Sequence, residues 1–310
     1  MKCVGPQFGY VLSMKIAITG STGLIGTALS SALSASGHDL VRLVRREPSG
    51  PGEARWDIEA GTIDTDTLQD VDAIVHLAGE NIGQRWSDGV KQRVRDSRVN
   101  GTRLIAETAA RLPNKPVLLC ASGAGFYGNR DDDEVDESAA RGDGFLSDVV
   151  DQWEAAADPA RSAGVRTVHL RQGIVLARQG GALQRLLLPF KLGVGGKVGS
   201  GKQWWSWVSL DDTVAAYLFA LEHPLEGAVN VTAPGATTNL EFTKALGRAL
   251  HRPTILPLPA FAVKAAFGQM GKEMLLEGQR VAPTKIVKAG FAFNQPDIDS
   301  GLASALAVPS

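Results

Sequence analysis

Three glycines, Gly20, Gly23 and Gly26, in the run Thr19-Gly20-Ser21-Thr22-Gly23-Leu24-Ile25-Gly26, have the spacing to hold a dinucleotide pyrophosphate. They follow an apolar run, Ile16-Ala17-Ile18, and precede a helical pattern from Thr27 to Ser36 that stops at Gly37. In such a strand–turn–helix unit the first glycine makes the tight turn and the second lets the backbone approach the phosphates. The third lets helix and strand pack closely. The helix N-terminus adds free N–H groups and a partial positive charge. Thr22, Leu24 and Ile25 count with the glycines as cofactor contacts. The spacing is G-x-x-G-x-x-G rather than G-x-G-x-x-G, and a plain structural turn is the alternative. Its place between a buried strand and an amphipathic helix favours the cofactor.

Charge then selects the dinucleotide. A fold that prefers NAD ends its second strand on Asp or Glu, which accepts from the ribose 2′-OH. Here Asp39 to Val44 reads as that strand and Arg45 and Arg46 follow it. Guanidinium groups suit a 2′-phosphate, so NADP(H) is expected; two solvated arginines are the bland alternative. Arg98 is a further basic candidate on the adenosine side, or a helix-face ion-pair partner. Leu77, Ala78 and Gly79 close the third strand, where small residues let the backbone border the cofactor.

The elements that must position these residues alternate between strand and helix. Strands are expected over 39–44, 73–78, 116–121, 166–170 and 228–232. Helices are expected over 87–111, 145–162 and 213–222, the last N-capped by Asp211 and Asp212. This rhythm predicts an α/β fold, a doubly wound parallel sheet of the extended Rossmann kind, with a smaller C-terminal α+β lobe. The dinucleotide-binding domain should run over 14–236, with 179–207 contributing to the substrate lobe, and the C-terminal module over 237–310. Residues 1–13 lack a charged n-region and a long apolar stretch. They are expected to be a disordered tail or an over-extended start.

The chain has 310 residues, 44% of them hydrophobic, and a net charge of −1. That balance gives no electrostatic reason to expect nucleic acid or an anionic membrane as partner, and points to a small-molecule substrate. Only Cys3 and Cys120 are present. Cys120 lies in an apolar strand, which suits a buried thiol and a reducing, cytoplasmic compartment. The five histidines form no zinc-like cluster, and no metal is expected.

The chain resembles the extended short-chain dehydrogenase/reductase superfamily. The motifs are the glycine turn, His76-Leu77-Ala78-Gly79, Asn100-Gly101-Thr102, Ser122 to Gly128, and Leu170-Arg171. Ala78-Gly79-Glu80-Asn81-Ile82, Arg85-Trp86, Ser97-Arg98, Trp153-Glu154, Gln203 to Trp207 and Leu275 to Arg280 are similar to one atypical branch, the epimerase family proteins, which has its own C-terminal module. The resemblance implies an NAD(P)-dependent oxidoreductase or epimerase. It places Asn100, and Gly173 and Val175 in the loop that passes the nicotinamide, among the cofactor residues. Many members dimerise through two long helices, and the apolar faces of 87–111 and 145–162 allow a homodimer.

Catalysis is where the chain departs from that pattern. The superfamily's Tyr-x-x-x-Lys pair shuttles a proton. Its positions fall on Leu146 and Val150, and 145–157 contains no tyrosine or lysine. Ser122, near the catalytic serine position, and Tyr127, the nearest phenol, are the remaining candidates. An NADP(H)-binding sensor without catalysis is the rival reading. Trp204, Trp205 and Trp207 could line an apolar substrate pocket or pack a core.

Overall fold

The computed structural model describes residues 13–307, so residues 1–12 of the expected tail lie outside it. Its centre is an eight-stranded sheet. In chain order the strands are β1 (Lys15–Thr19), β2 (Asp39–Val44), β3 (Glu53–Asp57), β4 (Thr62–Ile63), β5 (Ala73–His76) and β6 (Val117–Gly123). After a short outlying strand, β7 (Glu134–Val135), come β8 (Thr167–Gln172) and β12 (Gly227–Val231), and between these two lie β9 (Ile174–Leu176), β10 (Trp204–Trp205) and β11 (Trp207–Ser209), which stand outside the central sheet. The spatial order is β12-β8-β6-β5-β1-β2-β3-β4, parallel except where β4 folds back on β3. The chain winds outward from β1 to β3, then returns to β5 on the other side of β1. That reversal opens a crevice beyond the carboxyl ends of β1 and β5, where open α/β sheets bind ligands.

Strand alternation feeds two cores. Ile16, Ile18 and Val75 pack in one cluster with Leu29 of α1 (Leu24–Ala35), and with Ala216 and Tyr217 of α6 (Leu210–Glu222). Ala17, Ile74 and Cys120 face the other way, toward α2 (Asp88–Arg111) and α4 (Asp158–Ser162). Successive side chains of a strand point to opposite faces, so a strand buried on both sides reads as a continuous apolar run.

Several expectations need correction. The helix expected over 145–162 is two, α3 (Phe145–Ala155) and α4, because Pro159 lacks an N–H and its ring clashes with the carbonyl one turn back. Ser209, not Asp211 or Asp212, caps α6, its hydroxyl accepting from the Asp212 N–H at 2.9 Å. Asp212 is fully buried and accepts from the backbone N–H groups of Asn294 and Gln295. The glycine-rich stretch after Gly180 forms a helix, α5 (Gly181–Lys191).

The substrate lobe packs α5, α7 (Asn239–Leu250) and α10 (Ile298–Leu306) around Trp205, Trp207 and Phe242. Trp205 and Trp207 are therefore core residues rather than pocket walls. Trp204 alone stays half-buried, donating to Asp132 at 3.0 Å. Strand β10 pairs with β13 (Thr237–Thr238), and β14 (Arg280–Val281) pairs with β7. The C-terminal module does not stay in its own lobe. After α8 (Ala260–Gly271), the helix α9 (Thr284–Lys288) and Phe291 rejoin the main core beside β12.

Candidate functional site

The β1–α1 turn admits no side chain at Gly20 or Gly26. Gly20 has φ +66°, and a Cβ there would lie 2.9 Å from the Ala78 nitrogen. A Cβ on Gly26 would lie 2.1 Å from the Gly20 carbonyl oxygen. Gly23 is the N-cap of α1 and offers no side-chain cap, so the N–H groups of the first turn, from Leu24 and Ile25, face the crevice without a side-chain acceptor. The helix starts three residues before the expected Thr27.

Thr19 braces the opposite lip. Its buried hydroxyl oxygen accepts from the Leu77 N–H at 3.1 Å and the Ala78 N–H at 3.2 Å. Its own proton therefore goes to His76 Nδ1, 2.8 Å away, which fixes His76 as neutral with its ring hydrogen on Nε2. Burial, aided by the nearby Arg98 charge, pushes the His76 pKa down to about 4. From α2, Ser97 accepts from the Glu80 N–H at 3.0 Å and Arg98 donates to the Glu80 carbonyl at 3.0 Å. Arg98 also stacks on Trp153, and its guanidinium lies where a Cβ on Gly79 would be 3.2 Å from Cζ. Arg98 thus shores up the Ala78–Glu80 loop from beneath. Asn100 is exposed and has no hydrogen-bond partner among the described residues, whereas Ser97 and Arg98 are the α2 side chains that grip the loop.

The two arginines after β2 differ. Arg46 donates through both terminal nitrogens to Glu53 at 2.6 and 2.8 Å. Bonding to Arg46, with help from Ser49, holds the Glu53 carboxyl near pKa 2. Arg45 is exposed and has no acidic partner among the described residues. The expected guanidinium pair therefore reduces to Arg45, with Arg46 neutralised by a residue of β3, a strand the periodicity passes over.

Behind the carboxyl ends of β6 and β8 the polar groups turn inward. Ser122, 4% exposed, donates to Glu154 Oε1 at 2.6 Å. Arg171 clamps both oxygens of Glu154 at 2.8 and 2.7 Å and lies 3.5 Å over the Phe126 ring. It also donates to the Tyr127 hydroxyl at 3.0 Å, which in turn donates to Asn230 at 2.8 Å. Burial raises the Tyr127 pKa against the opposing pull of Arg171. Burial would raise Glu154 too, but the Arg171 guanidinium holds it below the usual carboxylate range. Tyr127 is fully buried with its hydroxyl saturated, and the Ser122 hydroxyl spends its hydrogen bond on a carboxylate. Neither is placed as the proton shuttle the sequence suggested. Leu146 of α3 packs where a Cβ on Gly125 would be 3.3 Å away, and Val150 approaches Gly123. Gly173 needs no cofactor to explain it, since a Cβ would lie 2.6 Å from the Ser206 carbonyl oxygen. Val175 pairs with Val208 in the β9–β11 ribbon.

Sequence reasoning missed Thr19, Glu154, Arg171 and Glu273 as site-building residues. Glu273 accepts from the Phe145 and Leu146 N–H groups at 3.2 and 3.0 Å, capping α3 from the C-terminal module. A lone arginine in the apolar run Val168-His169-Leu170-Arg171 was the available signal, because a charge buried there must find a partner.

The profile of the NAD dependent epimerase/dehydratase family matches residues 16–232. The chain belongs to that family. A second profile, a domain of unknown function (DUF1731), matches residues 258–305. The chain is 46% identical over 297 residues to Epimerase family protein ML0860 of Mycobacterium leprae, covering 95% of this chain and 96% of that protein. It superposes on the crystal structure of human epimerase family protein SDR39U1 with NADPH at a TM-score of 0.84 and 37% identity, covering 94% and 99% of the two chains. UDP-glucose 4-epimerase of Thermus thermophilus in complex with NAD matches at TM-score 0.72 and 19% identity over 94% of this chain and 98% of that one, a likeness of fold.

Proposed function

We propose that the chain binds NADP(H) in this crevice and acts on a small carbonyl or hydroxyl substrate as an oxidoreductase- or epimerase-type enzyme. The observation that carries this is a turn sterically closed to a side chain at Gly20 and Gly26, at the switch point of the sheet, with the unpaired Arg45 at the end of the neighbouring strand. The residues fit the group. The N–H groups of the Gly20–Ile25 turn suit a pyrophosphate, Arg45 suits a 2′-phosphate, and the braced Leu77–Gly79 backbone forms a wall. NADPH, when bound, supplies a hydride. The human relative crystallised with NADPH supports the dinucleotide choice.

The protein's own part is binding and orientation. Ser122 and Tyr127 hold Glu154, Arg171 and Asn230 in place, and the proton comes from water or from the substrate itself. The same inward network favours a second reading, an NADP(H) sensor without turnover.

Calorimetry with NADPH and NADH, followed by a carbonyl panel, separates the two. Arg45→Ala should lower NADPH affinity about tenfold and leave NADH unchanged, on the scale of one charge-assisted hydrogen bond. Arg46→Ala should change it less. Turnover supports the enzyme, and tight binding without turnover supports the sensor. Failure of both NADPH and NADP+ to bind at millimolar concentration overturns both.

A further inference from the structure

The overall charge of −1 hides an uneven distribution. Residues 181–202 and 242–272 hold nine lysines and arginines and no aspartate or glutamate. The fold zips these two segments together. Arg252 donates to the Lys191 carbonyl at 2.9 Å, the Leu258 N–H to Lys197 at 2.8 Å, and the Gly199 N–H to Leu258 at 2.9 Å. A Cβ on Gly196 would lie 1.9 Å from the Leu256 carbonyl oxygen.

On the joined surface the large apolar side chains point outward. Leu188 of α5 and Leu192 just after it are 66% and 69% exposed, Ile255 78% and Phe261 of α8 76%. In the first two turns of α8, only Val263 is buried, and Lys264, Ala265, Ala266 and Phe267 all face out. Two carboxylates reach the cations of this face, Asp299 on Arg248 and Glu277 on Lys272. Lys191, Lys244, Arg252 and Lys264 have no acidic partner among the described residues. Lys244, Arg248, His251 and Arg252 line one shallow depression beside the apolar ridge.

We infer that this face docks the protein on an anionic lipid bilayer, with Leu192, Ile255 and Phe261 entering the interface and Lys191, Arg252 and Lys264 collaring them. Protruding apolar side chains with basic neighbours are the composition of a segment that lies on a membrane rather than across one. No helix among the described residues is long and apolar enough to cross one. Charge complementarity selects the occupant. A second copy seated on this face by two-fold symmetry would set the same unpaired cations against each other, whereas an anionic leaflet attracts each of them.

The test is flotation of the full chain with vesicles of phosphatidylcholine alone and with 30% phosphatidylserine, about that of an anionic leaflet. The chain should float with the anionic vesicles, only weakly with the neutral ones, and lose binding in high salt. Lys191→Gln with Lys264→Gln should weaken binding more than tenfold, each charge near such a surface being worth about fivefold. Ile255→Ser with Phe261→Ser should abolish it, with an unchanged melting temperature showing that the fold survives. Absence of binding to anionic vesicles overturns the inference, as does equal binding by both double variants. A dimer in sedimentation velocity that dissociates in the serine variant, with no vesicle binding, assigns the face to a second copy instead. None of these readouts depends on NADPH.

Discussion

The two sides of the crevice are built in opposite ways. At the β1–α1 turn, side chains are excluded at Gly20 and Gly26, and the Leu24 and Ile25 N–H groups are left without a side-chain acceptor. At the ends of β6 and β8, five polar side chains, Ser122, Tyr127, Glu154, Arg171 and Asn230, bond to one another and leave little facing outward. The first region is shaped for a partner from outside the chain, and the second is complete in itself. Retention of a dinucleotide cradle therefore does not require retention of the proton relay found in many relatives of this fold.

The sharpest way to break the contrast is Gly26→Ala. With the new methyl 2.1 Å from a carbonyl oxygen, the turn must move. Overpacking of this kind costs roughly 1–3 kcal/mol, and NADPH affinity should fall roughly hundredfold, the scale for displacing a positioning element by about an ångström. Titration calorimetry checks it, and near-normal affinity would mean that the turn does not cradle the phosphates.

On the other side, Glu154→Gln leaves Arg171 buried without its counter-charge. It should destabilise the fold by about 3–5 kcal/mol in urea denaturation while NADPH binding per folded molecule stays intact. A parallel loss of affinity would show that the two regions are not independent.

The histidines give a pH signature. Burial holds His76 and His169 near pKa 4 in the fold, below the ordinary 6.5. The unfolded chain thus binds more protons between those values, so stability is full above pH 6.5 and declines as pH falls toward 4. The decline should be about a few kcal/mol for the pair, and His76→Asn should flatten it, measured by melting temperature against pH. A wild-type curve flat across that window would show that neither imidazole is held neutral.

The smallest effect sharpens the comparison most. Tyr127→Phe removes one hydroxyl from a saturated network and should cost about 1–2 kcal/mol of stability. Any carbonyl turnover should persist. Its disappearance without loss of fold would restore Tyr127 as an acid.

How much was legible follows the same division. The glycine turn could be read directly, because a steric exclusion writes itself as a residue type at fixed spacing. The doubly wound parallel sheet followed from alternating strand and helix patterns, whereas the break before Pro159 was passed over and one helix expected, since a proline can also sit inside a helix, as Pro189 does in α5. Arg46 read as a free cation because its partner, Glu53, stands on β3, a short strand between β2 and β4 that the sequence reading passed over although its residues alternate. Ser122 and Tyr127 looked reactive because their neutralising partners are brought up only by tertiary structure. Glu154 is 32 residues from Ser122, and Asn230 is 103 from Tyr127.

Strand β12 ends the sheet, and its outer edge is furnished from elsewhere in the chain. Glu137 accepts from the Asn230 N–H at 2.9 Å and the Lys285 ammonium donates to the Ala228 carbonyl at 2.9 Å, while the Asn230 side chain donates to the Ala282 carbonyl. An unfurnished edge is a template for sticking to other chains. A fragment cut at 236 would lose Lys285, the 291–295 segment and the N–H donors that satisfy Asp212. The two sequence modules therefore share one core, and loss of the second would strip Lys285 from the β12 edge.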